Sequence, residues 1–210
     1  MDPKSAWENV YKTTPLEEIP WRMESASWLY QLIEDGIIPV GTALDLGCGT
    51  GEKTIYLARK SFKITGVDIS KTAIKHAKQF AAQAGIQAQF YIHDATDLSF
   101  LQDKVFDFIL DFSALHGIAK EKQSNYVQEI AKHLKLKGLF FLRCFSKRTP
   151  NRDKDYFWGS EVPGWKIWYF SEDNIVSLFG NYFKIIKKHQ EGFKTPIRDI
   201  YFDEYLMEKI

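Results

Sequence analysis

Cysteine is scarce in this 210-residue chain: Cys48 and Cys144 are its only two. That excludes a disulfide framework or a cysteine-rich metal cluster and fits a reducing, cytoplasmic setting. No uncharged apolar run approaches the roughly 18 residues of a membrane span. The opening MDPKSAWENVYKTT has no apolar core, so no signal peptide is expected. Charge of one sign is missing too: 28 Lys and Arg stand against 27 Asp and Glu, a net charge of +1. This balance argues against bulk electrostatic capture of nucleic acid or of an acidic membrane. The five histidines show no metal-ligand spacing, and no metal is expected. There is no repeat, low-complexity tract or linker, so residues 1–210 read as one domain. Aromatic residues, by contrast, make up 15% of the chain, and the six Trp gather at its two ends.

Residues 22–35 carry apolar side chains at helical spacing, with Gly36 as a stop. Strands are predicted at 42–47, 62–68, 87–94, 106–111 and 139–145. Helices are predicted at 52–61, 70–85 and 119–135, with Ser70 as N-cap and Gly85 as C-terminal stop. This alternation specifies βαβ units, and so a doubly wound parallel α/β sheet with helices on both faces. The first five strands read as apolar runs covered on both sides. After Phe145 the rhythm breaks. Residues 146–170 form a charged, then Gly/Pro/Trp-rich insertion, within which the mixed-charge stretch 147–155 reads as an exposed loop. A capped helix at 171–180 follows, then two strands, 182–192 and 198–210, as an antiparallel pair closing the sheet edge.

Ligands of open α/β sheets bind beyond the carboxyl ends of the strands. There the sequence sets the glycine run Gly47-Cys48-Gly49-Thr50-Gly51 and four acids, Asp45, Asp68, Asp94 and Asp111, one at each of the first four strand ends. The glycines allow a sharp turn and close approach of ligand to backbone. The third glycine comes one place early for a diphosphate-binding loop, and Glu52 follows it. Asp68 lies at the distance expected of a ribose-reading carboxylate. Together these features point to an adenosyl group that carries a cation.

The segments ALDLGCGTG (43–51), VDIS (67–70), HDATDL (93–98), FDFILDFSALHGI (106–118) and LKGLFFL (136–142) resemble, in order and spacing, the motifs of class I S-adenosylmethionine-dependent methyltransferases. The resemblance implies a Rossmann-like, seven-stranded mixed sheet with the last strand antiparallel. It also implies roles. Asp45 and the backbone of Gly47, Cys48, Gly49 and Gly51 would hold the methionine end. Asp68 would bind the ribose hydroxyls, with Ile69 against adenine. Asp94 and Ala95 would read the adenine edge, and Asp111 and Phe112 would flank the reacting methyl. The N-terminal WENVY…TPLEEIPW (7–21) is similar to the lid of the small-molecule branch that includes thiopurine, halide/thiol and tellurite-resistance methyltransferases. Residues 1–35 thus read as lid and helix, with Trp21 against the cofactor.

His116 is the candidate general base, with pocket lining as its other reading, and Asp111 is a second candidate. Tyr11, Trp21, Phe112, His116, Cys144, Trp158 and Trp168 are expected at the substrate. Trp7 and Trp165 belong to the same set of rings, of which two or three should face the ligand. His76 and His133, on helices among lysines, are expected in solvent. The partner is a small-molecule methyl acceptor for a monomer or homodimer, with no nucleic acid and no membrane. The competing readings are methylation of RNA or protein, a catalytically silent S-adenosylmethionine-binding protein, and a nicotinamide-dependent oxidoreductase. Glu52 in place of a glycine and the acid at Asp94 disfavour the last.

Overall fold

A computed structural model describes residues 2–22, 26–150, 154–159, 162–194 and 199–210. The parallel strands are β1 (Thr42–Leu46), β2 (Lys63–Asp68), β3 (Gln89–Ile92), β4 (Phe106–Phe112) and β5 (Leu134–Phe145). With β8 (Phe183–Lys194) and β9 (Asp199–Lys209) they form a seven-stranded sheet in the order β3-β2-β1-β4-β5-β9-β8. Strands β9 and β5 pair antiparallel, as do β8 and β9. The order reverses between β1 and β4, the place where such sheets bind ligands.

Helices α2 (Ser27–Glu34) and α3 (Glu52–Arg59) cover one face, where Leu29, Leu32, Ile33 and Leu57 pack on Ala43, Phe108, Leu110 and Phe141. Helices α5 (Gln123–His133) and α6 (Glu172–Phe179) cover the other, where Tyr126, Ile130, Ile175 and Phe179 pack on Leu46, Ile109, Phe140 and Leu142. Each fully buried Leu, Ile or Phe of this kind contributes about 1.5–3 kcal/mol relative to exposure. Helix α4 (Lys71–Gln83) starts where Ser70 caps it, its Oγ accepting from the Ala73 N–H at 3.0 Å. Gly85 ends it in the left-handed region at φ +66°. Ser171 and Asn174 form a reciprocal capping box at the start of α6.

Several boundaries differ from the expectations. Residues 3–13 fold as α1 (Pro3–Thr13), with the Asp2 carboxylate accepting from the Ser5 N–H at 3.0 Å and Pro3 in the first turn. Strand β3 is an edge strand rather than one buried on both faces, and Tyr91 and Ile92 are exposed. Helix α5 begins only at Gln123, after a short 3₁₀ turn, and passes directly into a β5 longer than expected, because Leu134 already pairs with Phe106. His133 is buried, its Nδ1 bonded to the Lys104 carbonyl at 2.8 Å, because it lies on the core side of α5. The insertion contributes a two-stranded hairpin, β6 (Tyr156–Trp158) and β7 (Lys166–Trp168). The centre of the expected 147–155 loop, residues 151–153, and residues 195–198 lie outside the described residues. Among the described residues no helix is long and apolar enough to cross a membrane.

Candidate active site

The glycine turn follows β1. Gly47, Gly49 and Gly51 all adopt positive φ, at +66°, +54° and +86°. A Cβ on Gly47 would stand 2.6 Å from the Ala114 Cβ, and one on Gly49 would stand 2.7 Å from the Tyr11 hydroxyl. Two neighbouring segments therefore use the space that glycine leaves free. Cys48 packs beside Ile74, Ala77 and Phe90, and burial pushes its thiol well up.

Three of the four strand-end acids are buried. Asp68 takes the Gly49 N–H on Oδ2 at 2.9 Å and the Ser70 N–H on Oδ1 at 2.8 Å. Each oxygen keeps a further acceptor direction. Burial raises its pKa to about 6 against the pull of those bonds. Asp45 lies beneath the turn, accepts from the Thr54 hydroxyl at 2.6 Å, and is raised to about 7, again by burial. Asp111 accepts from the Ala114 and Leu115 N–H groups at 2.6 and 2.9 Å and from the Tyr126 hydroxyl at 2.7 Å, and burial raises it to about 7. In Asp94, burial alone would raise the pKa, but the Thr96 N–H and hydroxyl and Lys122, 3.1 Å from Oδ2, outweigh it and hold the carboxyl below the usual range.

A cavity of about 150 Å³ opens along these strand ends. Gly47, Asp68, Ile69, Asp94 and Ala95 line it, as do Phe112, Ser113, His116 and Phe145. Trp7, Tyr11 and Trp21 come over it from the N-terminal segment and Trp165 from the insertion. Trp21 donates from Nε1 to the Tyr11 hydroxyl at 2.9 Å, and Trp165 donates to the Gly117 carbonyl at 2.7 Å. The N-terminal segment is tied down on both sides of the cradle. The Glu8 carboxylate accepts from the Ser70 hydroxyl at 2.7 Å and the Thr72 hydroxyl at 2.6 Å. Arg22 bonds Thr50 at 3.0 Å and Glu52 at 2.8 Å. His116 is buried against Phe145, with ring centroids 4.4 Å apart. Burial, then the nearby Arg143 charge, lowers its pKa to about 3, so it is neutral near pH 7.

Eleven of the anticipated residues thus meet at one cavity: Gly47, Asp68, Ile69, Asp94, Ala95 and His116, with Trp7, Tyr11, Trp21, Phe112 and Trp165, five rings of the set where two or three were expected. Asp45, Cys48, Gly49, Gly51 and Asp111 stand behind this wall and shape it. Three residues expected at substrate do not line it. Cys144 is fully buried in the core under β9, its sulfur 3.9 Å from the Asp203 carbonyl. Trp158 is 60% exposed. Trp168 packs on the sheet, and with Tyr156 and Trp158 it surrounds the Lys166 ammonium, whose Nζ lies 4.2, 5.5 and 5.9 Å from the Tyr156, Trp158 and Trp168 ring centres. Ser113, Phe145 and Lys122 were not singled out in the sequence. For Ser113 the only local signal is its place one residue past the strand.

Comparison with known proteins agrees with this geometry. Residues 43–138 match the family described as a methyltransferase domain. The chain is 30% identical over 156 residues to the 2-heptyl-1-hydroxyquinolin-4(1H)-one methyltransferase of Mycobacteroides abscessus, covering 71% of this chain and 67% of that enzyme. It is 35% identical over 98 residues to the 23S rRNA (uracil(747)-C(5))-methyltransferase RlmC of Shigella boydii, covering 45% of this chain and only 26% of that one. The fold superposes, with a TM-score of 0.78 and 19% identity, on the Burkholderia thailandensis 1,6-didemethyltoxoflavin-N1-methyltransferase solved with S-adenosylhomocysteine, covering 98% of this chain and 86% of that one. The chain belongs to the class I S-adenosylmethionine-dependent methyltransferases. Its cofactor is S-adenosylmethionine, and the residues fit one: a turn with no room for Cβ atoms, an Asp68 with acceptor directions to spare, and carboxylates suited to a cation.

Proposed function

We propose that the protein methylates a small planar aromatic or heteroaromatic molecule held in this cavity. One observation carries the reading: a single cavity is lined both by Gly47 and Asp68 and by rings from the N-terminal segment and the insertion. The printed substrates of two similar enzymes, a hydroxyquinolinone and a didemethyltoxoflavin, support a ring-shaped acceptor. The near-neutral net charge supports a small molecule over RNA.

When bound, S-adenosylmethionine supplies an electrophilic methyl on a sulfonium that departs as a neutral thioether once the acceptor's lone pair takes the methyl. Asp68 accepts from the ribose hydroxyls. The cavity wall of Ile69, Asp94 and Ala95 receives the adenine. The turn receives the methionine end at Gly47, with Gly49 and Gly51 shaping it from behind and Asp45 beneath it offsetting the cationic charge. Phe112, Phe145, Trp7 and Trp165 exclude water and hold the acceptor in line. Such alignment is worth about 7–11 kcal/mol in favourable cases. With its pKa near 3, His116 orients the acceptor by hydrogen bonding and does not take a proton. Asp111 acts as a positioning residue: three donors converge on it and fix the turn that carries Ser113 and His116.

The test is calorimetric titration with S-adenosylhomocysteine, followed by incubation with S-adenosylmethionine and a panel of hydroxyquinolinones, thiopurines, phenols, aliphatic thiols and RNA, read by mass spectrometry. Methylation confined to the ring compounds is expected. Methylation of RNA or of aliphatic thiols alone would overturn the reading.

A further inference from the structure

Three residues that line the cavity carry a buried side-chain atom with no hydrogen-bond partner among the described residues: His93 Nδ1 just past β3, and Ser113 Oγ and His116 Nδ1 together on the turn beyond β4. A buried polar atom left unpaired costs about 1–3 kcal/mol, so one such atom asks for an explanation and two on one turn ask more strongly. Ser113 also sits at φ +80°, a conformation a serine rarely adopts. The surrounding structure holds it there. Its N–H donates to the Arg143 carbonyl at 3.1 Å, and the Asp111 carboxylate takes the next two N–H groups. Backbone strain of this kind gathers at ligand sites. Phe112, Phe145, Trp7 and Trp165 supply apolar wall to the cavity, which Asp68, Asp94 and Lys122 also line.

We infer that Ser113 and His116 form a two-point hydrogen-bond anchor for the acceptor, and that the acceptor is a planar ring with an ionisable hydroxyl beside a second polar ring atom. The inference rests on reading the cavity as the methyl-acceptor site, and it narrows the substrate class. Both anchors are neutral. Arg143 of β5 is the charge that bears on His116, and Asp111 lies under the turn with its donors already matched. The pair therefore suits a ring hydroxyl acidic enough to have lost its proton to solvent before capture.

Protein saturated with S-adenosylhomocysteine is titrated with 1-hydroxyquinolin-4(1H)-one, with quinolin-4(1H)-one, which lacks the hydroxyl, and with naphthalene, which has no polar atom. Wild-type protein should bind the hydroxyl compound at least about tenfold tighter than the other two. Ser113→Gly keeps the backbone conformation and removes the hydroxyl. His116→Phe keeps a ring and removes the nitrogens. Each should cost about tenfold in affinity for the hydroxyl compound and leave naphthalene unchanged. The affinity for S-adenosylhomocysteine should stay within about twofold. If either variant fails to fold, the other variant and the wild-type ligand series still decide. Equal binding of all three rings by the wild type, failure to bind the hydroxyl compound, or unchanged discrimination in a folded variant overturns the inference. Failure of the wild type to bind S-adenosylhomocysteine would instead overturn the methyltransferase reading.

Discussion

Replacing Gly47 by Ala tests the contact between the cofactor turn and the turn beyond β4. Two costs can be worked separately. At φ +66° an L-residue loses about 1–2 kcal/mol. The new Cβ would also stand 2.6 Å from the Ala114 Cβ, roughly an ångström inside a normal carbon–carbon contact, and overpacking of that order costs about 1–3 kcal/mol. The sum is about 2–5 kcal/mol, or a fall in Tm of about 4–20 °C for a chain of this size. Ala114→Gly removes the opposing methyl and by itself should cost about 0.5–1 kcal/mol in chain entropy. The double variant should recover the steric part and keep the conformational part, a coupling of about 1–3 kcal/mol. Urea unfolding of all four proteins measures the cycle, and S-adenosylhomocysteine titration reports whether the turn still receives ligand. Additivity within about 0.5 kcal/mol would refute the argument, because the two turns would then not bear on each other.

Asp68→Asn keeps the shape of the residue but removes the charge and one acceptor oxygen, so S-adenosylhomocysteine affinity should fall by about one to two orders of magnitude in calorimetry, and an unchanged Kd would show that Asp68 does not contact the ligand. The native pKa values of Asp45, Asp68 and Asp111 lie at about 7, 6 and 7, above their ordinary 3.8. Between roughly pH 4 and 7 the folded chain therefore holds protons that the unfolded chain has released, and ligand-free stability should fall as pH rises through 6–7. Stability that rises over this interval in urea unfolding would contradict the assigned burial. Trp158→Ala, at an exposed position on the hairpin, should leave methyl transfer within about twofold of wild type, whereas a large loss would place that ring at the acceptor.

The legible and illegible parts of the site differ in what encodes them. Gly47, Gly49 and Gly51 were readable because a backbone at positive φ with no room for Cβ leaves its mark on residue identity. Asp68 and Asp94 were readable because each follows a strand and precedes a turn. The seven-stranded mixed sheet and its antiparallel last strand followed from the alternation of elements and the family motifs, whereas the strand order came from the structure. Cys144 was misread because LFFLRCF is apolar almost throughout, and an unbroken apolar run does not say which residues point up. Trp158, Trp165 and Trp168 share one tract, and the hairpin register decides among them: Trp158 opposes Lys166 and Trp168 opposes Tyr156, which leaves Trp165 at the bend to reach the cavity. Ser113 gave no signal beyond its place after β4, because its unusual φ arises from partners distant in sequence, such as the Arg143 carbonyl.

Gly117 is where the parts of the molecule meet. A Cβ there would stand 2.7 Å from the Trp7 ring, its carbonyl carries Trp165, and its N–H bonds back to the Ala114 carbonyl at 2.9 Å. The N-terminal segment and the insertion therefore both rest on the same residue of the turn beyond β4. The core that handles the cofactor can stay constant while the walls change, provided each new wall still seats on that glycine. Gly117 is thus a single socket into which both segments that close the cavity must plug.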